Sequence, residues 1–122
     1  MSTQVLLADH HPIIRSGIRN LVDTTDDLVV GGEADDGESV LIKLRGHSWG
    51  LLVLDLSIPG ASGVELISQA KAEHPDLPIL VFSGKHEEDF AVRAMRCGAS
   101  GYLTKESDVE LLIPAMRKVA AG

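Results

Sequence analysis

Four polar residues in this sequence stand where short, mostly apolar runs end, and their types suit phosphoryl chemistry. They are Asp9, Asp55, Ser83 and Lys105. Two neighbouring carboxylates, Asp9 and Asp55, would repel each other unless a hard cation such as Mg²⁺ took oxygen ligands from both. A lysine and a hydroxyl can hold the remaining phosphoryl oxygens. This set predicts that Asp55 is a nucleophile that forms an acyl phosphate.

The runs before these residues are predicted β-strands, and segments with helical spacing separate them. The predicted strands cover residues 5–8, 28–30, 51–54, 79–82 and 101–104. Apolar stripes of helical period follow at residues 14–22, 40–44, 64–70 and 90–95. A fifth helix is predicted to open at Ser107, which with Glu110 forms a capping-box pattern.

Five strand-helix units predict an α/β fold, a doubly wound parallel sheet with helices on both faces. In such sheets the functional site lies at the carboxyl ends of the strands. The four polar residues should therefore converge on one edge of the sheet.

Length and composition limit the classes of function. A chain of 122 residues fits one domain, and a net charge of -7 argues against direct nucleic-acid binding. The single cysteine, Cys97, cannot form an internal disulfide, which favours a reducing, cytoplasmic setting. No signal peptide and no apolar run long enough to span a membrane is present in the sequence, so neither secretion nor membrane insertion is expected.

Four segments of the sequence resemble receiver domains of bacterial two-component response regulators. They are VLLADHHPIIRSGI, VLDLSIPGASGVELI, ILVFSG and GASGYLTKES. The details resemble the subfamily whose receivers precede a helix-turn-helix DNA-binding domain. The resemblance implies a flavodoxin-like sheet of strand order 2-1-3-4-5, a receiver over residues 1–122, and a DNA-binding output domain absent from this chain.

The resemblance also implies roles for individual residues. Asp55 would accept a phosphoryl group from a sensor histidine kinase, and Asp9, Asp55 and the Ser57 backbone carbonyl would hold Mg²⁺. Ser83 and Lys105 would read the phosphate, and a shift of Ser83 would change the packing of Tyr102. Helix four, strand five and helix five would form an output face, which is also the expected homodimer surface.

One position departs from the family pattern, since His10 stands where most members carry a second acidic residue. Imidazole is a poor ligand for Mg²⁺ but a good one for Mn²⁺ or Zn²⁺. His10 either weakens Mg²⁺ binding, or shifts the metal preference, for example to Mn²⁺, or marks a receiver regulated without phosphate. His11 matches the subfamily, and we expect a structural role for it.

Two rival functions are a phosphate-independent interaction module and a small flavodoxin-like enzyme or nucleotide binder. The sequence lacks the glycine-rich phosphate-binding motifs of nucleotide-binding folds and has few aromatic residues to stack on a flavin. The retention of Asp55, Ser83 and Lys105 argues against a module freed from phosphate chemistry. The preferred function is a phosphoacceptor switch, not a metabolic enzyme, that controls transcription through its missing output domain.

Pro114 is predicted to lie well inside helix five if Ser107 caps that helix. An interior proline removes a backbone hydrogen bond and costs about 3 kcal/mol or bends the helix. We therefore expect a bend, either as a tolerated local distortion or as a feature that alters dimer geometry.

Overall fold

The computed structural model describes residues 2–60, 62–84, 88–106 and 109–122, in which five strands and five α-helices alternate. The strands are β1 Thr3–Ala8, β2 Leu28–Ala34, β3 Leu51–Leu54, β4 Ile79–Ser83 and β5 Gly101–Thr104. The helices are α1 Pro12–Val22, α2 Gly37–Gly46, α3 Gly63–Glu73, α4 Glu88–Arg96 and α5 Leu112–Ala121, with a 3₁₀ turn at Val109–Leu111.

The five strands form one parallel sheet in the order β2-β1-β3-β4-β5, which confirms the predicted α/β topology. The register places the carboxyl ends of the central strands side by side, since Ala8 of β1 pairs with Leu54 of β3. The next residues along the two strands are Asp9 and Asp55. The Asp55 backbone N–H donates to the Ala8 carbonyl at 2.9 Å, which fixes the two aspartates at the same edge.

Helices cover both faces of the sheet, and the two sides of the core are largely aliphatic. Strand residues alternate between the sides, as Leu6 packs on one and Leu7 on the other. Helices α2, α3 and α4 contribute Val40, Ile67 and Ala94 to the first side. Helices α1 and α5 cover the second side with Ile18, Val22, Leu112, Met116 and Val119. None of the described helices combines the length and apolar character needed to cross a bilayer.

Strand β2 extends four residues beyond the predicted range, through Gly31 and Gly32. A methyl group added to Gly32 would lie 2.9 Å from the Trp49 ring, so the glycines leave room for that ring over the edge strand. The sequence pattern ended the strand at Val30 because glycine has low strand propensity. Tertiary packing with Trp49 overrides that local preference.

The prediction that Pro114 lies well inside helix five is wrong. Helix α5 begins at Leu112, after the 3₁₀ turn, so Pro114 is the third residue of the helix and lies in its first turn. Backbone N–H groups in the first turn have no partner within the helix, so the missing N–H costs little there. The reason for expecting a bend is therefore removed. Ser107 lies outside the described residues, and its capping role stays a prediction.

Gly63, the first residue of α3, has no room for a side chain. A methyl group at this position would lie 2.5 Å from the Leu56 carbonyl oxygen, and backbone cannot move aside as a flexible side chain can. Gly63→Ala should therefore lower the free energy of unfolding by about 1–3 kcal/mol, measured by urea denaturation. The matched control is Gly17→Ala in α1, where an added methyl group would meet no atom of the described residues within 4 Å apart from its own helix backbone. This substitution should be stabilising by about 0.5–1 kcal/mol. Equal effects at the two positions would contradict the steric argument.

Candidate functional site

The carboxyl edge of the sheet brings together the four polar residues found from the sequence. Asp9 follows β1, Asp55 follows β3, Ser83 ends β4 and Lys105 follows β5. Within the described part of the chain, the buried polar side chains are Asp9, Asp55 and Ser83. Buried polar groups are costly unless they are paired, so a concentration of them at one point marks a candidate site.

The Asp55 carboxylate is surrounded by hydrogen-bond donors. The Ser83 hydroxyl donates to Oδ1 at 2.9 Å, and the Ser57 backbone N–H lies 3.2 Å from the same oxygen. The Ser57 hydroxyl lies 3.0 Å from Oδ1 and 2.9 Å from Oδ2. The family resemblance implies a role only for the Ser57 carbonyl, whereas in the structure the Ser57 hydroxyl and N–H contact the aspartate. The role of the carbonyl as a metal ligand stays a prediction.

The Lys105 ammonium bridges the two carboxylates. Its Nζ lies 2.6 Å from Asp9 Oδ2 and 3.3 Å from Asp55 Oδ2. The Lys105 backbone N–H donates to the Ser83 carbonyl at 2.8 Å, which continues the pairing of β4 with β5. This bond fixes the start of the lysine side chain beside the aspartates. One positive charge therefore lies between two buried negative charges.

The surroundings of Asp55 favour its ionised form. Burial by itself raises the pKa of this carboxyl group, but the Ser57 hydrogen bonds, the Lys105 charge and the Ser83 hydrogen bond outweigh burial. The net result is a pKa below the usual value for aspartate. Asp55 is therefore a carboxylate near neutral pH, the form that a nucleophile requires.

This depressed pKa predicts how acid affects stability. Because the pKa of Asp55 is lower in the folded state, its contribution is fully present above the unfolded-state value of about 3.9. That contribution is lost as the pH falls through the folded-state pKa. As the pH falls below about 4, wild type should lose more free energy of unfolding than Asp55→Asn, measured by urea denaturation at each pH. Parallel curves for the two proteins would show that the surroundings do not favour the ionised form.

Two histidines flank the aspartates. His11 Nδ1 and the His11 backbone N–H each lie 2.9 Å from Asp9 Oδ1. His10 Nδ1 lies 3.6 Å from Asp55 Oδ2, and this buried nitrogen has no hydrogen-bond partner within the described part of the chain. The two rings are in contact, with centroids 3.8 Å apart. His11 is expected from the sequence to be structural, but its side chain contacts the Asp9 carboxylate of the site. Its position two residues after Asp9 is the signal in the sequence for this contact.

The aspartates and histidines together can hold a metal ion. One ligand atom from each of Asp9, His10, His11 and Asp55 lies within 4.8 Å of the others. The buried His10 nitrogen has an unused lone pair or proton, and the carboxylates supply negative charge. The residues present therefore fit a divalent cation.

Arg15, which the sequence analysis did not single out, holds the end of β1. Its Nη1 donates to the Asp9 carbonyl at 2.6 Å, and its Nε donates to Glu33 at 3.0 Å. Arg19, one turn further along α1, also contacts Glu33. Burial tends to raise the pKa of Glu33, but the two arginines outweigh it and lower that pKa. These contacts tie α1 to β2 and position the Asp9 backbone.

Tyr102 lies on β5 and is partly buried. Burial raises the pKa of its phenol, and the negative charge of Asp55 raises it further. The Asp55 charge therefore acts on the Tyr102 ring, although the predicted change in its packing stays a prediction.

The proteins that this chain resembles in sequence are response regulators. The model of the response regulator receiver domain family matches residues 5–117. The chain is 36% identical over 118 residues to the nitrate/nitrite response regulator protein NarL of Escherichia coli (strain K12), covering 97% of this chain and 55% of that protein. It is 34% identical over 119 residues to the response regulator GacA of Pseudomonas protegens, covering 98% and 56%. The chain thus spans about half the length of these curated relatives.

Solved structures that resemble this chain are also response regulators. A two-component response regulator of the LuxR family from Aurantimonas sp. SI85-9A1 superposes with a TM-score of 0.95 at 33% identity, covering 100% of this chain and 87% of that one. RcsB from Salmonella enterica serovar Typhimurium, bound to promoter rprA in the presence of phosphomimetic BeF3-, superposes with a TM-score of 0.90 at 27% identity. That match covers 96% of this chain and 67% of RcsB.

Proposed function

Because this chain belongs to the response regulator receiver domain family, we propose that Asp55 accepts a phosphoryl group from a sensor histidine kinase. One observation carries the proposal. The Asp55 carboxylate is buried at the strand ends, with the Ser83 hydroxyl on one oxygen and the Lys105 ammonium near the other. The relatives of this chain are signalling proteins and not classical enzymes.

In the proposed transfer, each part of the chemistry is assigned to residues of the site. An Asp55 oxygen attacks phosphorus and forms the O–P bond of an acyl phosphate. The P–N bond of the donor phosphohistidine breaks, and its electron pair returns to the donor imidazole, which takes a proton. The Ser83 hydroxyl and the Lys105 ammonium contact the carboxylate, and we assign both to the phosphoryl oxygens after transfer.

A divalent cation in this site would offset the negative charge that collects between Asp9, Asp55 and the phosphoryl group. We assign Asp9, Asp55 and the Ser57 carbonyl as its oxygen ligands, with Mg²⁺ as the ion. Mn²⁺ is the alternative, because His10 adds an imidazole nitrogen where oxygen would suit Mg²⁺ better.

We further propose that phosphorylation acts on a surface formed by α4, β5 and α5. Ser83 contacts Asp55 directly, and Tyr102 lies within the influence of the Asp55 charge, so both can respond to the acyl phosphate. Exposed apolar side chains on or beside these elements suit a partner, including a second copy of this chain. They include Val92 and Met95 of α4, each 47% exposed, and Val109 and Leu111 of the 3₁₀ turn that precedes α5.

The whole protein is proposed to regulate transcription through a DNA-binding output domain that lies outside these 122 residues. The length of the curated relatives supports this proposal, since the chain covers 55% of NarL. A phosphate-independent module or a flavodoxin-like enzyme is not favoured, because Asp55, Ser83 and Lys105 are in mutual contact.

The test is the intact mass of the chain after incubation with acetyl phosphate. Wild type should gain one phosphoryl group with Mg²⁺ or Mn²⁺ and none in EDTA, since two carboxylates and a phosphoryl group need a cation. His10→Asp should react faster with Mg²⁺, because it restores an oxygen ligand. No gain for either protein in any metal would refute the proposal. A gain for His10→Asp alone would mean that His10 has removed phosphate control.

A further inference from the structure

The two histidines give this site a nitrogen-rich ligand set. His11 Nδ1 lies 2.9 Å from Asp9 Oδ1 and 4.0 Å from Asp55 Oδ2, and His10 Nδ1 lies 3.6 Å from the same Asp55 oxygen. In a tetrahedral zinc site, bonds of roughly 2.0 Å place neighbouring ligand atoms about 3.3 Å apart. Of the three distances, one is shorter and two are longer than that spacing. Small movements of the aspartate and histidine side chains would therefore give tetrahedral geometry.

His10 Nδ1 provides a second, independent observation in favour of a ligand at this site. Among the residues that the structure describes, this buried nitrogen has no hydrogen-bond partner, which is unfavourable for an imidazole. A His10 ring nitrogen belongs to the group of possible ligand atoms from Asp9, His10, His11 and Asp55, which all lie within 4.8 Å of one another. A metal ion held by that group would bond to His10 and remove the penalty.

We propose that Asp9, His10, His11 and Asp55 form a closed four-coordinate site for a borderline transition-metal ion such as Zn²⁺ or Co²⁺, and that the bound ion blocks phosphorylation. Two imidazoles and two carboxylates favour such ions over Mg²⁺, which prefers six oxygen ligands and retains water. Both histidines are therefore binding residues in this proposal, and His11 is not only structural.

The blocking effect follows from coordination number and rests on the proposed function. Four protein ligands fill a tetrahedral ion and leave no position for a phosphoryl oxygen. The ion also takes Asp55 Oδ2, which now lies 3.3 Å from the Lys105 ammonium. Repulsion between the two cations would move Lys105 away from the phosphoacceptor.

The metal site is tested by titrating the whole chain with Co²⁺ and recording visible absorption, which is far stronger for tetrahedral than for octahedral Co²⁺. Wild type should give the strong spectrum at one ion per chain, and Zn²⁺ should abolish it. His10→Ala and His11→Ala should each weaken binding by at least roughly tenfold, since losing a ligand costs no less than losing the group that orients one. Circular dichroism verifies that each variant is folded.

The matched control is His47→Ala, which removes an exposed histidine next to α2, outside the group of possible metal ligands. It should bind Co²⁺ as wild type does. A weak, octahedral spectrum in wild type would overturn the proposal. So would a His11→Ala variant that binds as tightly as wild type.

The blocking effect is measured as phosphoryl uptake from acetyl phosphate in excess Mg²⁺, with and without prior loading with Zn²⁺. Zinc should lower phosphoryl uptake at least tenfold in wild type. In His11→Ala, zinc should lower phosphoryl uptake by a much smaller factor. A strong Co²⁺ spectrum without inhibition by zinc would overturn the blocking step. If no uptake occurs even without zinc, the proposed function fails, while the Co²⁺ spectrum still decides the metal site.

Discussion

Asp55→Asn should reduce phosphoryl uptake from acetyl phosphate to the level of unreacted protein while the chain remains folded. The amide keeps the shape of the side chain and an oxygen that can accept the Ser83 hydrogen bond, which is 2.9 Å long in wild type. It lacks the carboxylate that forms an acyl phosphate. Intact mass measures the loss, and hydroxylamine should remove the wild-type phosphoryl group, since it cleaves acyl phosphates and not phosphoserine.

Ser57 is the competing acceptor that this experiment must exclude, because its hydroxyl lies 2.9 Å from Asp55 Oδ2. A phosphoryl group that resists hydroxylamine and disappears in Ser57→Ala would show that the serine reacts instead. The matched control is Asp27→Asn, which removes an exposed aspartate that pairs with Arg117. This variant should take up phosphate as wild type does.

The four strand-end residues could be found from the sequence because parallel strands covered on both faces are apolar along their whole length. All four residues of β3 are buried, so the first polar residue after them, Asp55, marks the edge of the sheet. The same logic located Asp9 and Ser83. The position of Lys105 at the same edge could be predicted because β5 lies next to β4 in the sheet.

Contacts that depend on side-chain direction could not be read in the same way. The Ser57 hydroxyl reaches Asp55 because of the turn that follows β3, and apolar periodicity carries no information about that turn. Arg15 contacts Glu33, 18 residues away, only because α1 packs beside β2. The start of α5 was misplaced for a related reason, because the 3₁₀ turn before Leu112 leaves no apolar period to detect.

Lys105→Met should lower the free energy of unfolding at pH 7 by about 3 kcal/mol in EDTA, because it leaves two buried charges without their cation. The Lys105 ammonium lies 2.6 Å from Asp9 and 3.3 Å from Asp55, and both carboxylates are buried. Urea denaturation measures the loss. The loss should shrink at a pH low enough to protonate Asp55, since that protonation removes the repulsion.

The double variant Lys105→Met with Asp55→Asn separates charge repulsion from lost packing. With one carboxylate neutralised, removal of the lysine should cost much less than it does in the wild-type background, so the two effects are not additive. The matched control is Lys118→Met on the exposed side of α5, which should change stability by no more than about 0.5 kcal/mol. Equal losses from Lys105→Met in both backgrounds would mean that the lysine acts through its aliphatic packing. The ammonium would then not be what allows two carboxylates to be buried side by side.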